Sequence, residues 1–250
     1  MDEQSAIRKY LVRNNISHME INTALIDMDG VLYDSMKNHT AAWYKMVKEL
    51  GIECDRDEFY LYEGMTGAAT INLLFKRAFG HPATKEQIKE LYHKKTAYFS
   101  ELPKPEPMPG AGTMLNILKQ NHITAVLVTG SGQNSLIDRL NIDYPGMFIS
   151  GNKITAHDVK HGKPNPEPYL KGLELVKSQP DQAIVIENAP LGVAAGHAAG
   201  CFTIAITTGP IPESKLWENG ADIVYKSMPE FAGLLPGLLK EMRDTRISCI

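Results

Sequence analysis

The chain has 250 residues, of which 43% are hydrophobic and 22% charged, and a formal net charge of −3. That length supports a sizeable core in one large domain or two unequal ones, and that charge gives no support for a nucleic-acid binder. No apolar run approaches the roughly 20 residues a membrane span needs, and the charged stretch Met1–Glu20 is not a secretory signal. Cys54, Cys201 and Cys249 are scattered, odd in number and without metal-ligand spacing, so they read as unpaired thiols of a reducing compartment, and the expectation is a soluble cytoplasmic protein.

Ile7, Tyr10 and Leu11 recur at helical spacing and predict a short helix over Ser5–Arg13, within an N-terminal extension at 1–20. Ala24-Leu-Ile runs straight into Asp27-Met-Asp29-Gly30, which reads as a buried strand ending at a loop. Then the pattern turns helical: His39–Leu50, Asp55–Tyr62 with Asp55 as N-cap, Thr66–Phe79 closed by Gly80, and Thr84–Ser100 opened by a Thr84/Gln87 capping box. Four prolines in Pro103–Pro109 make a stiff connector. Beyond it, helices are predicted at Thr113–Gln120, Gln133–Leu140, Pro166–Lys177, Leu191–Ala199, Pro212–Asn219 and Pro229–Arg243. They alternate with strands at Ile123–Val128, Ala183–Ile186, Phe202–Ile206 and Ala221–Tyr225, and the stretch from 141 through Lys163 reads as irregular. Such alternation means an α/β fold, a parallel sheet covered on both faces. The first strand needs partners in that sheet. The chain therefore divides into a Rossmann-like core at 21–35 and 105–250, with a helical block inserted at 36–104.

Three core strands end in polar residues: Asp27 and Asp29, Thr129, and Glu187-Asn188. Parallel strands place those ends along one edge, where open α/β sheets bind ligands. Side chains two apart on an extended backbone point the same way, so Asp27 and Asp29 should converge, and two close carboxylates ask for a cation or a shared proton. Lys163 lies in a proline-rich loop in the same half of the fold. Carboxylates, an amide oxygen, a hydroxyl and an ammonium group suit Mg²⁺ beside a phosphate. Each residue also has a plainer reading: Asp-x-Asp-Gly as turn chemistry, Thr129 as a helix N-cap, Lys163 as a solvated lysine, Glu187-Asn188 as a cap for the next helix.

Asp27-Met-Asp-Gly-Val31, Thr129 after Ala-Val-Leu-Val, Lys163 with its Pro-Glu-Pro tail, and Glu187-Asn188 before Pro-Leu-Gly-Val resemble the haloacid dehalogenase superfamily from residue 22 to 235. A helical block right after the first motif resembles the β-phosphoglucomutase-like subclass, in which such a block caps the site. The resemblance implies that Asp27 is a nucleophile, Asp29 a general acid and base, and Thr129 with Gly130 and Ser131 the phosphoryl cradle, while Lys163 offsets charge. It implies Mg²⁺ held by Asp27, the Asp29 backbone carbonyl, and Glu187 and Asn188, directly or through water, with His39, Tyr92 and Lys95 facing the substrate.

The chain departs from the mutase pattern at two places. Where the mutase cap loop carries a lysine and an arginine that grip a second phosphate, Glu63 and Gly67 stand, which removes that clamp. Asn188 stands where an aspartate is usual, and Glu63 could restore the lost charge at the metal. This pairing, with Tyr92 narrowing the site, resembles a branch that hydrolyses inorganic pyrophosphate. The expectation is a monomeric Mg²⁺-dependent phosphohydrolase acting on pyrophosphate. A β-phosphoglucomutase, a small sugar-phosphate phosphatase and a catalytically silent binding protein are the other readings.

Overall fold

The computed structural model describes residues 2–132, 134–148 and 151–248, with backbone alone at 134 and 135; Cys249 and the expected helix start at Gln133 lie outside them. Six parallel strands, β1 (Thr23–Ile26), β2 (Thr124–Val128), β3 (Lys153–Ile154), β4 (Ala183–Glu187), β5 (Phe202–Ile206) and β6 (Ile223–Tyr225), stand in the order β3-β2-β1-β4-β5-β6. In that order β1 is central, and the chain's direction across the sheet reverses beside it. The crevice at its carboxyl end is where this topology leaves room for a ligand.

The sheet is buried on both faces. Along β1, Ala24 and Ile26 pack one way and Leu25 the other, as a strand's period of two requires. The first face is covered by α6 (Ala111–Gln120), α11 (Met228–Asp244) and the N-terminal helix α1 (Glu3–Asn14). The second is covered by α8 (Glu167–Val176) and α9 (Pro190–Ala198). Helix α1 is part of this core: Ile7, Tyr10 and Leu11 are fully buried, the Tyr10 hydroxyl donates to the Gly200 carbonyl at 2.8 Å, and Arg13 donates through both terminal nitrogens to Asp222 at 2.8 and 3.3 Å.

Between β1 and α6 come four helices: α2 (Met36–Glu49), α3 (Glu58–Leu61), α4 (Gly67–Phe79) and α5 (Lys85–Glu101). They hold an apolar cluster of their own, built on Met46, Phe59, Ile71, Leu74, Phe75 and Leu91. Local signals set their ends. The Thr66 hydroxyl caps α4 by accepting from the Ala69 N–H, Gly80 closes it at φ +77°, and the Thr84/Gln87 capping box opens α5 as expected. The two chain crossings into this block are tied side by side. The Asp34 N–H donates to the Glu106 carbonyl at 3.0 Å, the Met108 N–H to Leu32 at 2.8 Å, and the Asn38 amide to Pro103 at 2.7 Å.

Two expectations are corrected. The helix expected over Asp55–Tyr62 is only the single turn of α3, because the Asp55 carboxylate accepts from the Asp57 N–H and spends those residues in a turn. The stretch after α7 (Asn134–Asp143) is not wholly irregular: Lys153 and Ile154 form β3, too short for any periodicity to show. None of the described helices is long and apolar enough to cross a membrane.

Candidate active site

Register brings the predicted residues together. Ile26 pairs with Leu127 on one side and Ile186 on the other, so Asp27, Thr129 and Glu187 emerge at nearly one level. Asp27 and Asp29 line one cavity with Thr129, Gly130, Ser131 and, from the helical block, His39, Glu63, Tyr92 and Lys95. The turn between the acids depends on Gly30, whose φ of +85° disfavours a side chain and whose added Cβ would collide with the Asn188 amide.

Lys163 is fully buried among acceptors. Its ammonium group donates to Asp27 Oδ1 at 2.5 Å, Glu187 Oε1 at 2.6 Å and the Val128 carbonyl at 3.0 Å. Burial disfavours that charge, but the two carboxylates outweigh it and hold the lysine pKa above its usual value. Asp27 is pushed up by burial, while Lys163 opposes and the charges of Glu187 and Asp29 add to the rise. On the other side, Asp29 Oδ1 accepts from the Ser35 hydroxyl at 2.5 Å and faces His39 Nε2 at 2.9 Å. Burial raises Asp29, yet His39 and Ser35 prevail and keep its carboxyl below the ordinary range. Lys95 Nζ lies 2.7 Å from His39 Nδ1, which assigns the imidazole proton to Nε2, toward Asp29. Burial first and Lys95 second hold His39 below its usual pKa, and burial lowers Lys95 to about 7. His39 and Lys95, expected at the substrate, line the cavity and form a hydrogen-bonded chain from the helical block to Asp29.

Glu187 requires a correction. Its Oε1 accepts from Lys163 and Tyr169, and its Oε2 from the backbone N–H groups of Asn188 and Ala189. A carboxylate has about four lone-pair sites, and all are engaged, so Glu187 orients Lys163 rather than offering a free oxygen to a metal. Among the described residues no trio of His, Cys, Asp or Glu side chains is arranged to hold a metal alone. The remaining donors nonetheless fit a hard divalent ion. Asn188 Oδ1 is buried without a hydrogen-bond partner, and Glu63 approaches Asn188 Nδ2 at 3.5 Å through both carboxylate oxygens. Glu63 is raised well above the carboxylate range by burial, then by Asp27, Asp29 and Glu187. An orphaned amide oxygen beside the Glu63 carboxylate, with Asp27 near, is a donor set that Mg²⁺ would satisfy.

Tyr92 and Gly67 complete the wall. A Cβ on Gly67 would run into the Tyr92 ring, and the Tyr92 hydroxyl accepts from the Gly132 N–H at 3.1 Å. Ser35 and Tyr169 are contacts that sequence reasoning missed. Ser35 heads α2 and Tyr169 sits six residues beyond Lys163, a spacing that becomes informative only once both are known to turn back onto the strand ends.

An open parallel sheet with an acid pair at its central strand end, a buried lysine between carboxylates and a hydroxyl-bearing rim defines an enzyme of the phosphoryl-transfer class. The chain belongs to the haloacid dehalogenase-like hydrolase family, whose family model matches residues 24–206. A solved structure of a candidate β-phosphoglucomutase from Bacteroides vulgatus superposes with a TM-score of 0.93 at 46% identity, covering 97% of this chain and 98% of that one. The Saccharomyces cerevisiae glycerol-1-phosphate phosphohydrolase 2 is 32% identical over 84% of this chain and 83% of its own length. The validoxylamine A 7'-phosphate phosphatase of Streptomyces hygroscopicus subsp. limoneus is 29% identical over 83% and 94%.

Proposed function

We propose that this protein is a Mg²⁺-dependent phosphohydrolase whose helical block, residues 36–104, caps the site, and that its substrate is inorganic pyrophosphate. Asp27 attacks phosphorus, the bond from that phosphorus to the leaving phosphate breaks, and an aspartyl-phosphate forms on Asp27. Asp29, which His39 and Ser35 keep ionised in the free protein, passes to the leaving oxygen a proton that it takes from the protonated pyrophosphate as this binds. Asp29 then takes a proton from water, which attacks the same phosphorus, and the P–O bond to Asp27 breaks to release phosphate. Thr129 and the Gly130 N–H hold phosphoryl oxygens, the Ser131 N–H orients the Thr129 hydroxyl by donating to it at 3.0 Å, and Lys163 offsets the phosphoryl charge. His39, held by Lys95, keeps Asp29 facing the reacting atoms. Asp27, the Asp29 carbonyl, Asn188 and Glu63 would hold Mg²⁺, which when bound neutralises phosphate charge and the acids beside it.

The observation that carries the choice of substrate is Glu63 set against Asn188 in a cavity of about 60 Å³. Typical ligand pockets run to roughly 300 Å³ and above. The loop at 62–67 brings a carboxylate and no cation, and Lys95, the lysine that the block places at the cavity, is occupied by His39. A small, metal-chelating dianion or trianion suits that space, and a bisphosphorylated sugar does not. A second reading, a phosphatase of small sugar or polyol phosphates, is favoured by the named activities of the relatives. It is also favoured by a groove of about 820 Å³ just beyond Tyr92. The test is kcat/KM for pyrophosphate against glycerol phosphate, hexitol phosphates and β-glucose 1-phosphate. Preference for pyrophosphate is expected; preference for an organic phosphate ends that assignment, and glucose 6-phosphate formation would restore the mutase.

A further inference from the structure

Loop 62–67 meets the core rim at two glycines. At Gly130, directly after Thr129, an added Cβ would stand 2.5 Å from the Gly64 carbonyl oxygen, 2.8 Å from its carbon and 3.1 Å from the Met65 carbonyl oxygen. At Gly162, directly before Lys163, it would stand 2.8 Å from Thr66 Cγ2, 2.9 Å from Thr66 N and 3.5 Å from the Gly64 carbonyl oxygen. Five of these six neighbours are backbone atoms, which cannot swing aside as a flexible side chain can. Neither glycine has a positive φ, so neither backbone conformation itself calls for glycine. What calls for glycine is the approach of the opposing chain. Gly112 makes the contrast: a Cβ there would meet open space.

We propose that Gly130 and Gly162 are positioning residues, two side-chain-free seats on the core rim that let loop 62–67 descend far enough to place Glu63 beside Asn188. Glu63 precedes Gly64 directly, and its approach to Asn188 is already long at 3.5 Å. A shift of a few tenths of an ångström at 64–66 therefore reaches Glu63 with little to absorb it. The two seats flank Thr129 and Lys163 in sequence, so the core residues that would hold the phosphoryl group also fix where the loop comes to rest. The inference rests on the capped phosphohydrolase reading, but not on the identity of the substrate.

The test compares Gly162→Ala, Gly130→Ala and the control Gly112→Ala. Amide hydrogen exchange at 62–67 is followed on adding Mg²⁺ with orthovanadate, a phosphate mimic, beside Mg²⁺ titration and steady-state kinetics. Wild type and Gly112→Ala are expected to gain protection in the loop. Both rim variants should keep their thermal midpoint yet stay unprotected, need more Mg²⁺, and lose about tenfold to a hundredfold in kcat/KM, the scale on which ångström misplacement acts. Adding Thr66→Ser to Gly162→Ala removes the Cγ2 contact while keeping an N-cap hydroxyl, and should recover part of the loss. A wild type that gains no protection overturns the proposal, as do rim variants that protect the loop and titrate Mg²⁺ like wild type. If one rim variant fails to fold, the other decides. Normal loop protection without pyrophosphate turnover would sink the substrate assignment and leave the seats standing.

Discussion

The two halves of the site are held in different ways. The core half is saturated: Lys163 has three acceptors within 3.0 Å, and Glu187 accepts from four donors. The half that comes from the helical block is tied down only where His39 and Lys95 reach Asp29, and is sparse elsewhere. Glu63 touches Asn188 only at 3.5 Å, and Tyr92 bonds the Gly132 N–H and the Ser131 side chain. Saturated networks fix geometry whatever the ligand, whereas sparse ones wait for a ligand to complete them. On the function proposed above, the chemistry common to the family would belong to the core half, and the choice of substrate to the other.

Substitutions on the two sides should differ in kind. The largest effect is expected at Asp27→Asn, a loss of turnover on the order of 10⁴-fold or more for every substrate, since the nucleophile serves them all. Any substrate retaining near-normal single-turnover rates in that variant would refute its role. Lys163→Met should both abolish activity and destabilise the fold by about 3–5 kcal/mol in urea unfolding, because Asp27 and Glu187 would be left buried without their cation. On the sparse side, Glu63→Gln should raise the urea midpoint, since it removes a carboxylate that burial and its acidic neighbours disfavour, and should raise the Mg²⁺ concentration for half-maximal activity by roughly tenfold to a hundredfold. An unchanged titration would remove Glu63 from the ligand set. Tyr92→Ala should join the small cavity to the larger groove, since Gly67 and Tyr92 line both. Activity on glycerol phosphate relative to pyrophosphate is expected to rise about tenfold, the scale of a modest change in pocket fit.

A further effect concerns pH and stability rather than turnover. Burial lowers the Lys95 pKa from 10.5 to about 7 in the fold. Between those values the unfolded chain binds the proton and the native state does not, so this residue makes stability rise with pH across that window. Below about 7 both states carry the charge, and its full burial cost is felt. Lys95→Met should flatten the rise in unfolding free energy between pH 7 and 10, read from urea melts; a curve parallel to wild type would show that Lys95 is not so perturbed.

The saturated half was the legible one. Apolar runs ending in Asp27, Thr129 and Glu187 announce strand ends, and the rule for parallel sheets then gathers them. What stayed hidden depends on side chains meeting across long separations. The exhaustion of Glu187 by Tyr169 and Lys163, and the tie of Lys95 through His39 to Asp29, join segments that no local pattern connects. Strand β3 was missed because two residues carry no period, and the helix at 55–62 shrank because Asp55 chose a turn. Glu63 and Asn188 stood out as departures from a pattern, but only their proximity gives the departures a common meaning.

The paired crossings at residues 32–38 and 103–108 bear on all of this. The outgoing and returning segments are laced to each other by hydrogen bonds from Asp34, Asn38 and Met108, so the helices join the core through one tied connection rather than two independent tethers. Rotation about a single axis would withdraw Glu63, Tyr92 and Lys95 in one stroke. Ion capture, wall and the support of Asp29 would then be gained or lost together, and an ajar molecule would be spared half-assembled chemistry on water.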